Sequence, residues 1–233
     1  NGFQLGYIDS ILEISSYHIQ ATTRETTPMD SMLGALEHEG GVECVVPFVE
    51  TEVIASSDYS RAVPIRLRGL PADVRTRDPS FITALGLEKD EPRRREKETS
   101  SHLPHIAIGS ELARALDVSQ GDSISIMAIT TSPDEGIATT QSLLEVSEIF
   151  HSGYLDFDRN LAFCSLECIS SIVHGLSPSS YIYGIKLKNR DWANAFVSRL
   201  SAREENLGIA TIESWSEYNR SFFGALRTEK TLM

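Results

Sequence analysis

The chain has 233 residues, 41% of them hydrophobic and 23% charged, with a formal net charge of −12. That is enough for one domain of two lobes or for two small domains. The acidic balance argues against a general nucleic-acid binder, because such a surface repels phosphate backbones.

No run of about 18 apolar residues occurs, so no segment here reads as a membrane span. The opening "NGFQLGYIDS" also lacks the basic region and apolar core of a signal peptide. It places Leu5, Ile8, Ile11 and Leu12 at helical spacing, with no capping residue before them. "ISSYHIQAT" then alternates and predicts a strand. "PMDSMLGALEHEGG" predicts a short helix with Met29, Met32, Leu33 and Leu36 on one face, stopped by Gly40 and Gly41. "VECVVPFVETEVIAS" reads as a strand whose proline marks an edge or a bend. "AVPIRLRGL" sets Val63, Ile65 and Leu67 against Arg66 and Arg68. Residues 88–98, "EKDEPRRREKE", are all charged except Pro92 and read as a solvated loop within the fold.

"HIAIGSELARALDVSQGDSISIMAITT" predicts a strand to Gly109, a short helix capped by Ser110, a turn at "SQGD" and a strand carrying Ile124, Ile126 and Ala128. "TSPDEG" turns that strand into "IATTQSLLEVSEIF", which makes a long hairpin with a polar tip. "LAFCSL" predicts a strand and "ECISSIVHG" a short helix. "YIYGIKLKN" alternates Tyr181, Tyr183, Ile185 and Leu187, and Asn189 caps a helix carrying Ala193, Phe196, Val197 and Leu200. "GIATIESW" is a strand leading into a last helix, where Ser214 and Glu217 stand in the S-x-x-E capping box. Tyr218, Phe222, Phe223 and Leu226 continue that helix. No Gly, Asn or Pro ends it after Arg227 and Lys230. Both chain ends therefore read as helices entered or left midway, and the last turn is expected to fray in an isolated fragment. The mixed order of strands and helices predicts an α+β fold with helices packed on one sheet face.

Chemistry-bearing constellations are sparse. There is no G-x-S-x-G, Walker A, G-x-G-x-x-G or H-E-x-x-H sequence. His102 and His105 flank a proline, so they do not share a helix face. Asp156 and Asp158 in "GYLDFDRN" read as solvent-facing or loop-capping acids, with a cation or acid–base pair as the sharper alternative. Of the three cysteines, Cys44, Cys164 and Cys168, at least one is free or pairs outside the chain. "CSLEC" has the i, i+4 spacing of one helix face, and its bland reading is two small buried residues. No cofactor is indicated, and the pattern is that of a binding or coupling module.

Five motifs carry a family resemblance: "NGFQ" at the start, "IRLRGLPADVRTRDP" at 65–79, "IAIGSELARALDVSQGD" at 106–122, "FHSGYLDFDRNLAFCSLE" at 150–167 and "YNRSFFGALRTEKTLM" at 218–233. In this order the chain resembles lipoprotein-releasing ABC-transporter permeases of the LolC/LolE family, within the wider MacB/FtsX-like permeases. The resemblance implies a MacB-like periplasmic core between two transmembrane helices of a bacterial inner-membrane protein. A Porter-like lobe would be built from residues 1–62 and 151–233, with a Sabre-like β-rich lobe inserted at 63–150. It implies a non-catalytic domain that works with a cytoplasmic ATPase of the LolD type, a second permease subunit, a periplasmic carrier of the LolA type and lipoprotein cargo.

By position, the hook hairpin of LolC-type members falls on residues 130–140, with its tip at Ser132, Pro133, Asp134, Glu135, Gly136 and Ile137. This tip has one proline where the hook has several, and it is acidic. A plain exposed hairpin, as in LolE-type partners, is the alternative. Phe3, Phe222, Phe223, Arg227 and Lys230 would lie where the domain meets the membrane, the two cations near its interface. A MacB-type exporter, an FtsX-like regulator of a cell-wall hydrolase, and a soluble enzyme using Asp156 or Asp158 are the competing readings.

Overall fold

The computed structural model describes Gly6 and residues 9–58, 62–87, 103–132, 136–173, 175–203 and 207–218. By its internal contacts the chain divides into two units, Asn1–Pro47 with Ser177–Met233, and Phe48–Leu176.

The first unit is a sheet with two helices on one face. Strand β1 (Ile19–Thr23) lies between β8 (Ile182–Leu187) and β9 (Ile209–Ser214) and is antiparallel to both. Helices α1 (Met29–Glu37) and α7 (Ala193–Ser201) cover it. Met32 and Leu36 of α1 and Phe196 and Leu200 of α7 share a core with Ile19, Ala21, Tyr183, Ile185, Ile209 and Ile212. Each helix presents its 3.6-residue apolar stripe to the alternate residues of the strands, which is the predicted α+β layering. Asn189 caps as expected, accepting the Asp191 N–H at 2.9 Å, at a 3₁₀ turn (Arg190–Trp192) that leads into α7.

The strand expected from Ile14 starts later. Ile11–Ser16 form a π-helical turn that buries Ile11, Leu12, Ile14 and Ser16, and Tyr17 leaves it at a φ of 56°. The alternation of "ISSYHIQAT" therefore belongs to a helix end and a strand start, not to one strand.

The second unit is a closed ring of strands. β2 (Val42–Ser56) enters it beyond Pro47 and pairs with β3 (Val63–Leu70) and β5 (Ser123–Ser132). β3 pairs with β7 (Leu161–Ser165), β7 with β4 (His105–Gly109), β4 with β6 (Gly136–Phe150), and β6 with β5. Closure removes the sheet edges around the ring. Ile65, Leu67, Ile106, Ile108, Ile124, Ile126, Leu144 and Val146 are buried.

The ring draws on chain beyond residues 63–150, and the compact units divide at 47/48 and 176/177. β2 is needed on one side of β3 and β7 on the other. The second unit therefore gathers chain from both flanks of 63–150.

Short helices accompany the ring: α2 (Val74–Arg77), α3 (Pro79–Ala84), α4 (Ser110–Leu116), α5 (Leu155–Asn160) and α6 (Leu166–Ile172). The periodicity reading leaves α2 and α3 unassigned. Asp78 before Pro79 is the sequence signal of α3, and its carboxylate accepts the Phe81 N–H at 3.1 Å.

Two expectations on this unit change. Arg68 does not face solvent but is 1% exposed, because Glu50 on the neighbouring strand meets it at 2.6 Å and Phe48 lies 4.3 Å from its guanidinium. Ser110 is the first residue of α4 rather than its cap, since Gly109 holds the cap position and the Ser110 hydroxyl turns to His151.

Candidate functional site

The β5–β6 hairpin is the feature that the ring does not use up. Its register is unbroken over ten cross-strand pairs, from Ser123 opposite Glu145 to Ser132 opposite Gly136. Among the described residues, β2 pairs with β5 only at Ser125, Ile126 and Met127, and β4 meets β6 only from Glu145 onward. Among the described residues, 128–132 therefore pair only with 136–140, and 141–144 only with 124–127, which leaves a free backbone edge on β5 beyond Met127 and on β6 before Glu145. At about 3.4 Å per residue, the five residues after Met127 carry the arm about 17 Å beyond the last β2 pair.

The chemistry of those edges is unusual. From Ser123 to Leu144 the only charged residues are Asp134 and Glu135, and the only proline is Pro133. Lysines, prolines and bulges normally blunt a free edge; here none interrupts the stretches that pair only with each other. One face of the hairpin, with Ile124, Ile126, Ala128 and Leu144, is buried. The other carries Ile129, 57% exposed, and Leu143, 49% exposed, with half-buried Met127 between them. Gln141 on that face donates to the Ser125 hydroxyl at 2.9 Å. Such an arm offers a partner main-chain donors and acceptors along its edge and an apolar strip on its face.

Of the expected tip, Ser132, Gly136 and Ile137 end the paired strands, and Pro133, Asp134 and Glu135 lie outside the described residues. Phe3, Phe222, Phe223, Arg227 and Lys230 also lie outside them, as does the end of the last helix. What precedes that helix is described. α8 (Trp215–Tyr218) starts where the Trp215 N–H bonds the His18 carbonyl at 2.9 Å, and Glu217 accepts the Ser214 N–H at 3.3 Å, the reciprocal half of the capping box. α8 also packs on the π-helical turn. The first and last described elements of the chain thus meet beside β1, a joint that local sequence reading does not reveal.

Asp156 and Asp158 do not form a pair. "LDFDRN" is a helix, not the expected strand or turn, and it exposes Asp156 while burying Asp158. The Asp158 carboxylate accepts the Ser152 N–H at 2.8 Å and the Ser152 hydroxyl at 2.6 Å, and lies 3.0 Å from His151 Nδ1. Ser110 Oγ is 3.0 Å from the same nitrogen. A catalytic relay places nucleophile and acid on opposite ring nitrogens. Here both converge on Nδ1 of a side chain that is 73% exposed, an arrangement that clasps the 151–154 loop.

Cys164 and Cys168 do not share a helix. Cys164 is on β7, and Ser165 starts α6 by accepting the Cys168 N–H at 3.1 Å. Cys44 is on β2, half-buried, and none of the three cysteines is in a disulfide. His105 begins β4, and His102 is outside the described residues. Among the described residues no three of His, Cys, Asp and Glu gather to hold a metal ion, and no helix is long and apolar enough to cross a membrane.

No protein-family model matches the chain. It is 24% identical over 239 aligned positions to the lipoprotein-releasing system transmembrane protein LolC of Xylella fastidiosa strain Temecula1, covering 100% of this chain and 54% of that protein. The LolC of strain 9a5c is 25% identical over 241 positions with the same coverage. The chain thus spans about half the length of the curated relatives it matches.

Among solved structures, the extracellular domain of the noncanonic ABC-type transporter YknZ from Gram-positive bacteria superposes with a TM-score of 0.50 at 13% identity, over 84% of this chain and 97% of that one. The periplasmic region of MacB from Actinobacillus actinomycetemcomitans gives 0.50 at 9% identity, over 91% and 95%. The resemblance read from the motifs therefore holds for sequence, and the α+β, MacB-like expectation holds for fold.

Proposed function

From a chain that is LolC-like in sequence and MacB-like in fold, we propose that it is the periplasmic domain of an ABC-transporter permease that releases outer-membrane-directed lipoproteins from the inner membrane. In this reading a cytoplasmic ATPase of the LolD type drives the cycle, a second permease subunit completes the membrane part, and lipoprotein cargo passes to a periplasmic carrier of the LolA type. The domain contributes binding and mechanical coupling, and ATP hydrolysis belongs to the separate ATPase. Residues 63–150 correspond to the Sabre-like lobe and the flanking chain to the Porter-like lobe.

The observation that carries the reading is the hairpin arm, with its uncharged free edges and its outward Ile129 and Leu143. It docks the carrier by adding a strand edge or seating an apolar strip in the carrier's groove, with Ser132, Pro133, Asp134, Glu135, Gly136 and Ile137 at its tip. The joint between the π-helical turn, β1 and α8 is the point at which membrane motion enters the domain. Phe3, Phe222, Phe223, Arg227 and Lys230 are the coupling residues next to the membrane.

The test is deletion of residues 132–137 in the full-length permease. Carrier binding is expected to be lost while the fold, read by circular dichroism, is kept. Unchanged carrier affinity sinks the docking role. The likeness to MacB favours a second reading, an exporter without lipoprotein cargo. Co-purification separates the two, a soluble carrier supporting the first and an adaptor protein the second.

A further inference from the structure

The passage from the first helix into β1 combines two irregularities. Asp9 and Ser10 are helical and lead into the π-helical turn Ile11–Ser16, and Tyr17 follows at φ 56° and ψ −176°. A π turn is a local insertion in an α-helix, with its bonds one residue longer. The Tyr17 backbone lies at the edge of a region that almost only glycine occupies, because a β-carbon crowds the main chain there. The Tyr17 side chain is fully buried, so packing holds this residue where its own backbone preference would not.

Both sides of the passage are fixed. On the sheet side, the His18 N–H bonds the Ile185 carbonyl at 3.1 Å, and His18 Nδ1 accepts the Leu187 N–H at 2.9 Å. On the helix side, Asp9 and Glu13 stand four residues apart and meet Arg190 and Lys186, which also stand four apart. Lys186 Nζ reaches Glu13 at 2.6 Å and stands 5.5 Å from the centroid of the Tyr17 ring. Gly184 on the same strand leaves the space that this ring fills, since a β-carbon there would sit 2.4 Å from Tyr17 Cδ2. The misfit between helix and strand is thus collected at Tyr17, and two ion pairs hold it there. Returning the turn to α geometry with its residues kept would rotate the preceding helix by about 100°, the angle of one residue. Such a rotation takes Asp9 and Glu13 off their cations.

We propose that Ile11–Tyr17 is a hinge with two registers, latched in the π register by the Glu13–Lys186 and Asp9–Arg190 pairs. In that register Tyr17 bears the backbone strain. In the other register the first helix is α-helical to Ser16 and turned by about 100°, both pairs are parted, and Tyr17 relaxes. The strain favours one register and the ion pairs the other, so a modest torque on the first helix selects between them. The hinge rests on the transport reading only for what supplies that torque. The two registers belong to the chain itself and are tested on it.

The test is native-state amide hydrogen exchange of the 233-residue chain, read by peptide mass spectrometry. Residues 11–17 are expected to exchange through a local opening, about tenfold faster than β1. Arg190→Gln, at an exposed pair, should speed exchange at 11–17 by about threefold and leave β1 unchanged. Lys186→Met should speed it more at 11–17 than at β1. Deleting Ser15 removes the inserted residue and with it the second register. The deletion variant should keep the circular dichroism of the parent and slow exchange at 11–17 by about tenfold. Exchange at 11–17 no faster than at β1 overturns the hinge, as does a Ser15 deletion that speeds it, which is the mark of simple fraying. A deletion variant that fails to fold overturns it too, because the hinge requires that an α-helical turn fit there. None of these measurements uses a carrier, an ATPase or lipid, so a failed hinge leaves the transport reading standing.

Discussion

Lys186 Nζ lies 2.6 Å from Glu13 Oε2, on a lysine side chain that is 2% exposed. Its ammonium also stands 5.5 Å from the centroid of the Tyr17 ring. The pair ties β8 to the π-helical turn that precedes β1. Breaking a buried ion pair leaves a charge that water cannot reach, at a cost of about 3–5 kcal/mol. Glu13 is 30% exposed, which lowers that figure. Glu13→Ala is expected to cost about 2 kcal/mol. Lys186→Met, which keeps an apolar stem and removes the buried charge, should cost about 1 kcal/mol. Urea midpoints of the two variants check the order, and a larger loss for Lys186→Met contradicts it.

Gly109 and Gly34 should respond oppositely to alanine. A β-carbon at Gly109 would sit 2.1 Å from the Asp158 backbone oxygen, which cannot turn away as a side-chain tip can. Gly109→Ala is expected to destabilise by about 3 kcal/mol through overpacking. At Gly34, inside α1, nothing lies within 4 Å of the added carbon. Gly34→Ala should stabilise by about 0.5–1 kcal/mol, because glycine loses more conformational freedom in a helix. Thermal denaturation of both variants beside the parent chain reads the two signs.

Tyr183 sets an alkaline limb of stability. Burial, the largest cause, pushes its phenol up to about 12 from the ordinary value of 10.0. A folded-state value raised above the unfolded one means that the folded chain holds the proton longer. The contribution is therefore complete below pH 10.0 and is lost as the pH rises toward about 12. The loss over that window is expected to be about 2 kcal/mol. Tyr183→Phe should flatten it, which denaturation at a series of alkaline pH values will measure; an unchanged slope rules the assignment out.

Ile129 should matter to a partner more than to the fold. It is 57% exposed on the outer face of the hairpin, so Ile129→Lys is expected to change folding stability by about 0.5 kcal/mol or less. If the arm docks a carrier along this face, the same change should weaken carrier binding by about tenfold, about 1.4 kcal/mol. Titration calorimetry with the carrier decides, and an unaltered affinity moves the docking surface elsewhere.

Local pattern carried much of the architecture. Alternation placed β3, β5, β8 and β9, and the apolar stripes placed α1 and α7, because each element buries one face and its sequence records which. It failed where burial came from two sides. Arg68, set against the apolar residues of its strand by the alternation, and Lys186, between Ile185 and Leu187, are each buried against a carboxylate from elsewhere in the chain. "LDFDRN" misled for a related reason: a six-residue window does not record whether it is a turn or a short helix, whereas the strand "LAFCSL" and the helix "ECISSIVHG" were placed as they stand.

The sequence by itself determined the α+β class, the long hairpin with a polar tip and the family likeness, since composition, alternation and motif order are properties of the chain. Tertiary structure decided what no window contains. It closed β2, β3, β7, β4, β6 and β5 into a ring through pairings between distant segments, so that one unit takes in the chain from Phe48 to Leu176. It also joined the two ends of the described chain beside β1. The reason is physical: a strand's unpaired amides and carbonyls must find partners, and which strand supplies them depends on the whole fold rather than on the residues that need them.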